Sequence, residues 1–302
     1  MKWLNMVLNG RSALKSVDLS DMVHFITDEQ RDKLQQILLE IYADIVGVCM
    51  ENGLTPFLIG GSALGAVRHK GFIPWDDDLD LGMMREDYEK FLPIFENKFS
   101  EKYIVSTPRG KVTAIARFTK IIKKGTEFRQ LFSSKEESLN GIFVDIFPID
   151  NVPDNKLQKK YKGLVSDCFA YISSQVYLYC NRTPSSQDVL KRTGQINCTI
   201  RMFIGKLFSI KRPDWWFAQF DKCVQYPDKN TCYCTIAPGR KHYFGEIMEK
   251  GKILPARYIE FCGLNAAVFN DVDAYLSNLY GDYMKIPPEE KRERHNIEKL
   301  KF

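Results

Sequence analysis

Residues 57–82 constrain this chain more than any other stretch, because they place four aspartates within five positions directly after a glycine-rich turn. The four are Asp76, Asp77, Asp78 and Asp80. Carboxylates this close together repel one another unless they take up protons or bind a cation. The turn at residues 60–62 offers backbone amides and a hydroxyl, which suit a phosphate group. The stretch therefore predicts a divalent metal that holds a phosphorylated substrate, which is typical of an enzyme.

The composition is that of a globular protein of about two domains, or one large domain. Hydrophobic residues make up 44% of the 302 residues and charged residues 27%. No run of about 18 uncharged apolar residues occurs, so no membrane span is predicted. The first residues are interrupted by polar side chains too early for a signal peptide.

The eight cysteines predict reduced thiols rather than a disulfide framework. Cys232 and Cys234 form the only close pair, and neither a CxxC motif nor a histidine at zinc-site spacing accompanies them. We therefore expect a cytoplasmic protein.

The net charge of +5 suits anionic substrates or a membrane surface, but it is too small and too dispersed to favour nucleic acid as a partner. Residues 200–216 mix apolar and basic side chains. This pattern has two interpretations, a helix packed on the core, which we favour, or an interfacial helix. Peripheral contact with the inner face of a membrane is therefore an open possibility.

Apolar periodicity divides the chain into two parts. In residues 1–152, a helical pattern that follows a capping box at residues 27–30 and ends near Asn52 and Gly53, and a second one at 85–99, alternate with strand patterns. This predicts an α/β (α+β) core on a small mixed sheet. The predicted strands lie at 56–59, 78–81, 103–106, 113–122 and 141–147. Residues 153–302 begin with long helical patterns, continue with short strands at 232–236 and 253–269, and end with a helix at 271–280. We expect this second part to complete a cleft beside the sheet.

The alternation of side chains along a strand predicts which aspartates point to the same side. In a strand at 78–81, Asp78 and Asp80 point to the same side with α-carbons ~6.6 Å apart, so both carboxylates can share Mg²⁺ or Mn²⁺. Asp76 has the same parity and is a candidate ligand or general base. Asp77 has the opposite parity, which favours a structural or cation-pairing role.

Asp145 is a candidate third ligand, because it lies in an otherwise apolar strand where an unpaired carboxylate is costly. A buried salt bridge is the alternative interpretation. Lys120, on a neighbouring predicted strand, either reaches the site to bind substrate or is a solvated edge lysine.

The turn formed by Gly60, Gly61 and Ser62 is a candidate phosphate-binding site at a helix amino terminus. By itself the motif is weak evidence, since Ser62 could be only a helix cap. Arg68 follows on the same helix, next to His69, and is a candidate for neutralising phosphate. A role for His69 as catalytic base is disfavoured.

Three blocks of this sequence resemble the LicD family of phosphotransferases, whose animal relatives include fukutin and the fukutin-related protein. They are residues 60–80, residues 141–150 and residues 280–295. The resemblance implies a nucleotidyltransferase-like fold with helical additions. It also implies that Asp78 and Asp80 are the metal carboxylates, with Asp76 as an accessory acid. Asp145 occupies the family's third-carboxylate strand. The family commonly has Ser-Gly-Thr where this chain has Gly-Gly-Ser, which keeps the hydroxyl.

The activity implied by the resemblance is transfer of a phosphorylated alcohol, typically phosphocholine from CDP-choline, with release of CMP. The implied acceptor is a sugar of a cell-surface glycan such as lipopolysaccharide, teichoic acid or capsule, or a lipid-linked precursor. Tyr280, Arg292, Arg294 or His295 are expected to close over the donor. True nucleotidyl transfer and a catalytically inactive nucleotide-binding module are the alternatives.

Overall fold

The computed structural model describes residues 23–24, 26–192, 196–292 and 294–302, apart from the side chains of 196 and 197. The helices in chain order are α1 (Asp28–Glu51), α2 (Gly60–His69), α3 (Arg85–Phe99), α4 (Lys156–Cys180), α5 (Pro184–Arg192), α6 (Ile196–Phe208), α7 (Pro213–Val224), α8 (His242–Gly245), α9 (Lys250–Ile253) and α10 (Val272–Tyr280). The strands are β1 (Phe57–Leu58), β2 (Asp80–Met84), β3 (Tyr103–Ser106), β4 (Thr119–Lys123), β5 (Glu127–Gln130), β6 (Phe143–Val152), β7 (Tyr233–Thr235), β8 (Met248–Glu249), β9 (Arg257–Phe261), β10 (Leu264–Val268) and β11 (Ile297–Lys301).

A mixed sheet forms the centre of the fold, as the sequence predicts. Its order is β3-β4-β6-β2-β1-β10-β9, with β7 and β8 added at the end of β6. β2 runs parallel to β6 and β1 parallel to β10, while the other neighbours are antiparallel. β5 and β11 form a separate antiparallel pair.

Two helices that cover the sheet follow directly from local sequence. Thr27 and Gln30 form the predicted capping box, in which each residue's side chain accepts a hydrogen bond from the other's backbone amide. From there α1 turns one apolar face to the core. The predicted helix at 85–99 is α3, and it buries Tyr88, Phe91 and Phe95. Both predictions are confirmed.

Two predicted strands begin later than the sequence pattern indicated. The strand predicted at 78–81 begins only at Asp80, because residues 76–79 form a loop that reaches β6 at its last residue, where Asp145 N–H donates to the Leu79 carbonyl. The strand predicted at 113–122 is confined to Thr119–Lys123. Arg117 explains the difference, since it turns away to bond the Ala170 carbonyl and thereby ties its segment to α4.

Strands from both parts of the chain lie in the same sheet. β9 and β10 extend it beyond β1, and β7 pairs with the last residues of β6. The division at residue 152 is untested as a domain boundary and stays a prediction. In the described ranges, no helix combines the length and the apolar character needed to span a membrane.

Candidate functional site

Three charged residues lie side by side on the central strands. In the strand register Asp80 of β2 is opposite Asp145 of β6, which is in turn opposite Lys120 of β4. Paired residues on adjacent strands project to the same face. The Lys120 ammonium contacts both Asp145 carboxylate oxygens, at 2.7 and 2.9 Å. The topology thus brings Asp145 next to the aspartate cluster, with Lys120 as its counter-ion.

The amino terminus of α2 is the second element of the site. A Cβ atom on Gly60 would lie 3.1 Å from Asp80 Oδ2, and one on Gly61 would lie 3.0 Å from Asp76 Oδ2. Gly60 also has a φ of +54°, which favours glycine. The two glycines therefore let both carboxylates approach the positive end of the helix, where backbone amides stabilise negative charge.

Ser62 joins the helix to the strand. Its hydroxyl oxygen accepts a hydrogen bond of 2.8 Å from the Asp80 amide, and the side chain is buried. The hydroxyl therefore holds Asp80 in place at the helix terminus. The proposed contact of Gly60, Gly61 and Ser62 with a phosphate stays a prediction.

The aspartates are crowded enough to perturb one another's ionisation. Burial raises the pKa of Asp76 and of Asp80 well above the usual range, and the neighbouring carboxylates raise both further. Asp76 and Asp78 are close enough to share a hydrogen bond. Burial also raises the pKa of Asp145, to about 6, although Lys120 opposes the shift.

His295 neutralises one side of the cluster. Its Nδ1 lies 2.6 Å from Asp77 Oδ1, its backbone amide donates to Asp77 Oδ2, and its Nε2 lies 3.7 Å from Asp78 Oδ2. Burial by itself would lower the pKa of His295, but the Asp77 and Asp78 carboxylates raise it to about 9. The imidazolium is therefore the half-buried cationic partner of the buried Asp77 carboxylate. Asp77 thus has a cationic partner, as the sequence analysis favoured, although residues 76–79 form a loop to which strand parity does not apply.

The other predicted residues lie outside the aspartate cluster, near the segment that carries His295. Arg68 Nη1 donates to the Tyr283 carbonyl, its Nε to His69 Nε2, and the guanidinium lies 5.9 Å from the centre of the Trp75 ring. Arg292 covers the same ring at 4.3 Å, so Trp75 joins the aspartate loop to the carboxyl-terminal block. Arg294 is more exposed and lies 3.8 Å from Glu289.

Four further residues lie at or near the amino terminus of α2, and the sequence pattern gave none of them a precise position. Tyr275 on α10 accepts a hydrogen bond of 3.1 Å from the Gly60 amide. The Tyr280 hydroxyl lies 3.9 Å from the position of a Cβ on Gly60, and the Arg240 guanidinium lies 5.4 Å from the Tyr280 ring centre. The buried Glu246 carboxylate accepts the Lys241 amide and so holds the loop that carries Arg240.

The donor set fits a divalent cation. Carboxylate oxygens are the ligands that Mg²⁺ and Mn²⁺ prefer. Asp77 and Asp145 each have a close cationic partner, and His295 lies 3.7 Å from Asp78, whereas Asp76 and Asp80 share the remaining space with Asp78 between these pairs. A cation among these three carboxylates would remove the repulsion that raises their pKa values. Ligand atoms of Asp77, Asp78 and His295 also lie within 4.8 Å of one another, but here the imidazolium already supplies the positive charge.

The sequence is similar to those of known proteins. Residues 53–172 match the family model described as "LicD/FKTN/FKRP, nucleotidyltransferase domain". The chain is 28% identical to the lipopolysaccharide cholinephosphotransferase LicD of Haemophilus influenzae, over 87% of this chain and 95% of that protein. It is also 54% identical over 43 residues to the ribitol 5-phosphate transferases FKRP of mouse and human, which is 14% of this chain and 9% of each of those proteins.

Proposed function

Because this chain belongs to the LicD family of phosphotransferases, we propose that it transfers phosphocholine from CDP-choline to a sugar hydroxyl of a cell-surface glycan or its lipid-linked precursor. The observation that carries the proposal is the position of Asp76 and Asp80 at the glycine-rich amino terminus of α2, with Asp78 next to Asp76. Carboxylates for a metal thereby lie next to amides for a phosphate. The acceptor would meet the enzyme at the cytoplasmic face of the membrane.

The reaction exchanges one phosphorus–oxygen bond for another. The acceptor hydroxyl oxygen attacks the distal phosphorus, which carries the choline, and the bond from that phosphorus to the bridging oxygen breaks. CMP leaves with the bridging oxygen. Asp76 would take the hydroxyl proton, a role supported by burial and neighbouring carboxylates that raise its pKa above the usual range.

Asp78 and Asp80 would hold the metal, with Asp145 beside them on the next strand. A bound Mg²⁺ neutralises phosphate oxygens and stabilises the charge that develops on the attacking and leaving groups. The α2 amides would orient the diphosphate. Arg240 and Tyr280, at the same helix terminus, lie where they can border the donor.

The test is a screen of CDP-alcohols that follows CMP release with Mg²⁺ present and absent. CDP-choline, CDP-ethanolamine, CDP-ribitol and CDP-glycerol would be offered with a glycan acceptor. The proposal expects CDP-choline to be the best donor. CDP-ribitol tests the alternative that the similarity to the ribitol 5-phosphate transferases raises.

Asp78→Asn and Asp80→Asn should abolish CMP release without unfolding the protein. Asp188→Asn, on the exposed surface of α5, is the matched control and should retain full activity. Full activity of both site variants would refute the metal assignment. Mass analysis of the acceptor product excludes the proposal if the nucleotide itself is transferred, because that route leaves CMP on the acceptor.

A further inference from the structure

α6 packs against α4 through one side only. Gly205 makes the close approach possible, because a Cβ there would lie 2.4 Å from the Gln175 carbonyl oxygen of α4. The favoured interpretation of residues 200–216, a helix packed on the core, therefore describes one side of α6. Its opposite side faces outward.

Two rows of large apolar side chains lie on the outward sides of these helices. On α4 they recur at positions i, i+4 and i+7, which places them along one helical face. The second row has the same spacing, but only its first two members lie on α6 and the third lies in the turn directly after it. We name them the apolar outer face, which consists of Leu157 (79% exposed), Tyr161 (73%), Leu164 (57%), Phe203 (66%), Leu207 (54%) and Ile210 (88%). Isolated exposed apolar residues are ordinary, whereas two aligned rows form a patch that indicates an interaction surface.

The two rows lie on the same side of α4. Gln175, against which α6 packs, lies eleven residues after Leu164 on α4, and this separation corresponds to about three helical turns. The amino-terminal half of this face of α4 carries the α4 row, and α6 packs against the carboxyl-terminal half of the same face. The α6 row lies on the side of α6 that points away from α4.

The segments that carry the two apolar rows are rich in basic residues. Residues 156–166 contain four lysines and no carboxylate, and residues 196–212 contain four basic residues and no carboxylate, although Arg212 lies 3.4 Å from Asp214 just beyond this range. Together they hold eight positive charges, which exceeds the net charge of +5 of the whole chain, so the remaining sequence is net acidic. Such segregation is not needed for solubility, and it favours a partner with dense negative charge.

From the aligned apolar rows and the surrounding positive charge, we propose that the apolar outer face docks on the surface of an anionic lipid bilayer. The apolar side chains would enter the boundary between headgroups and acyl chains, and the lysines would contact anionic headgroups. A protein partner would have to supply a complementary acidic rim, whereas an anionic bilayer provides negative charge at every point of contact. The inference is independent of the proposed reaction, since none of these residues lies in the aspartate site.

The test is flotation of the full chain with vesicles of phosphatidylcholine mixed with phosphatidylglycerol, compared with vesicles of phosphatidylcholine alone. The protein should float with the anionic vesicles and much less with the neutral ones, and raised salt should release it. The variant Phe203→Ser, Leu207→Ser, Ile210→Ser should lower the partition coefficient by at least about tenfold. Lys206→Gln with Lys211→Gln should lower it at least about fivefold.

Matched controls are available elsewhere on the surface. Met50→Ser, Tyr258→Ser, Leu264→Ser removes three other exposed apolar side chains and should leave flotation unchanged. Thermal unfolding midpoints establish that each variant is folded. If the α6 variant fails to fold, Leu157→Ser with Leu164→Ser makes the same test on α4.

Three results would overturn the proposal. The first is failure of the unmodified chain to float with anionic vesicles. The second is a folded apolar variant that floats as the unmodified chain does. The third is a stable dimer of the unmodified chain that the α6 variant dissociates while neither binds vesicles, which would assign the face to a second copy of the chain.

Discussion

Replacing Arg85 with methionine should destabilise the protein more than any surface substitution, because its guanidinium compensates two buried carboxylates. Arg85 forms a bidentate pair with Asp150, with both nitrogen–oxygen distances at 2.8 Å, and its Nη1 lies 2.9 Å from Asp221 Oδ1. The two acidic side chains are only 1% and 3% exposed. They come from β6 and α7, so this cluster joins the central sheet to the helical layer.

The size of the effect follows from burial. Burial raises the pKa of Asp150 even with Arg85 present, so the carboxylate depends on that cation. Breaking a buried pair by removing one partner typically costs about 3–5 kcal/mol. Lys98→Met is the matched control, because the ion pair of Lys98 with Glu51 is 42% and 60% exposed and should contribute about 1 kcal/mol or less.

The assay is the free energy of unfolding from urea titration, for Arg85→Met, Asp150→Asn and the double variant. Asp150→Asn should cost less in the Arg85→Met background than in the unmodified chain, with a coupling energy of about 1–3 kcal/mol. The reasoning is refuted if Arg85→Met costs no more than Lys98→Met. It is equally refuted if the two substitutions are additive.

Three further substitutions test the site. Gly61→Ala would place a Cβ 3.0 Å from Asp76 Oδ2, so CMP release should fall roughly tenfold to a hundredfold while the unfolding midpoint changes little. Gly47→Ala, where a Cβ meets no atom within 4 Å, is the control and should keep full activity. Burial raises the pKa of Glu246 to about 7, so folding opposes its ionisation, and the unmodified chain should lose about 3 kcal/mol of stability as the pH rises from 4.5 to about 7. Glu246→Gln should remove this loss. Urea titrations at a series of pH values measure the difference. The pKa of His295 is raised from 6.5 to about 9, so its ion pair stabilises the fold fully below pH 6.5 and is lost as the pH rises through 9. His295→Gln should therefore be less stable than the unmodified chain at pH 6, with the gap closing by pH 10 in the same titrations.

The local sequence was sufficient to predict helices whose ends and buried faces are determined by neighbouring residues. The capping residues and apolar spacing of α1, and the pattern of α3 at Arg85–Phe99, predicted helices that the structure contains. The start of β2 was predicted two residues too early, because the position of Asp78 depends on a loop and on His295 more than two hundred residues away. Strand parity could not reveal that contact.

The surroundings of the aspartates depend on the topology. The burial expected of Asp145 marked it as a candidate, but its alignment with Asp80 results from parallel pairing between strands that are distant in sequence. Arg240 and Glu246 lie in a loop without periodicity, so no pattern set them apart. The available signal was a Pro-Gly turn followed by an arginine, which many surface turns also contain.

The distribution of charge explains how five aspartates coexist in one place. The outer members are compensated, Asp77 by His295 and Asp145 by Lys120, so the fold holds their charge without help from a ligand. Asp76 and Asp80 lie at the amino terminus of α2, whose partial positive charge offsets only a fraction of theirs. The remaining negative charge is thus confined to the point where a cation and a diphosphate would meet.

The same arrangement gives the last part of the chain a role in the site. Tyr275 fixes the Gly60 amide and His295 neutralises Asp77, so α10 and the segment after it position groups on both sides of the aspartates. Without α10 and the segment after it, the sheet would keep the five aspartates and Lys120. It would lose the His295 imidazolium and the hydrogen bond from the Gly60 amide to Tyr275. Neither part of the chain holds the complete site. This explains why the similarity to the Haemophilus influenzae protein extends over both parts of the chain.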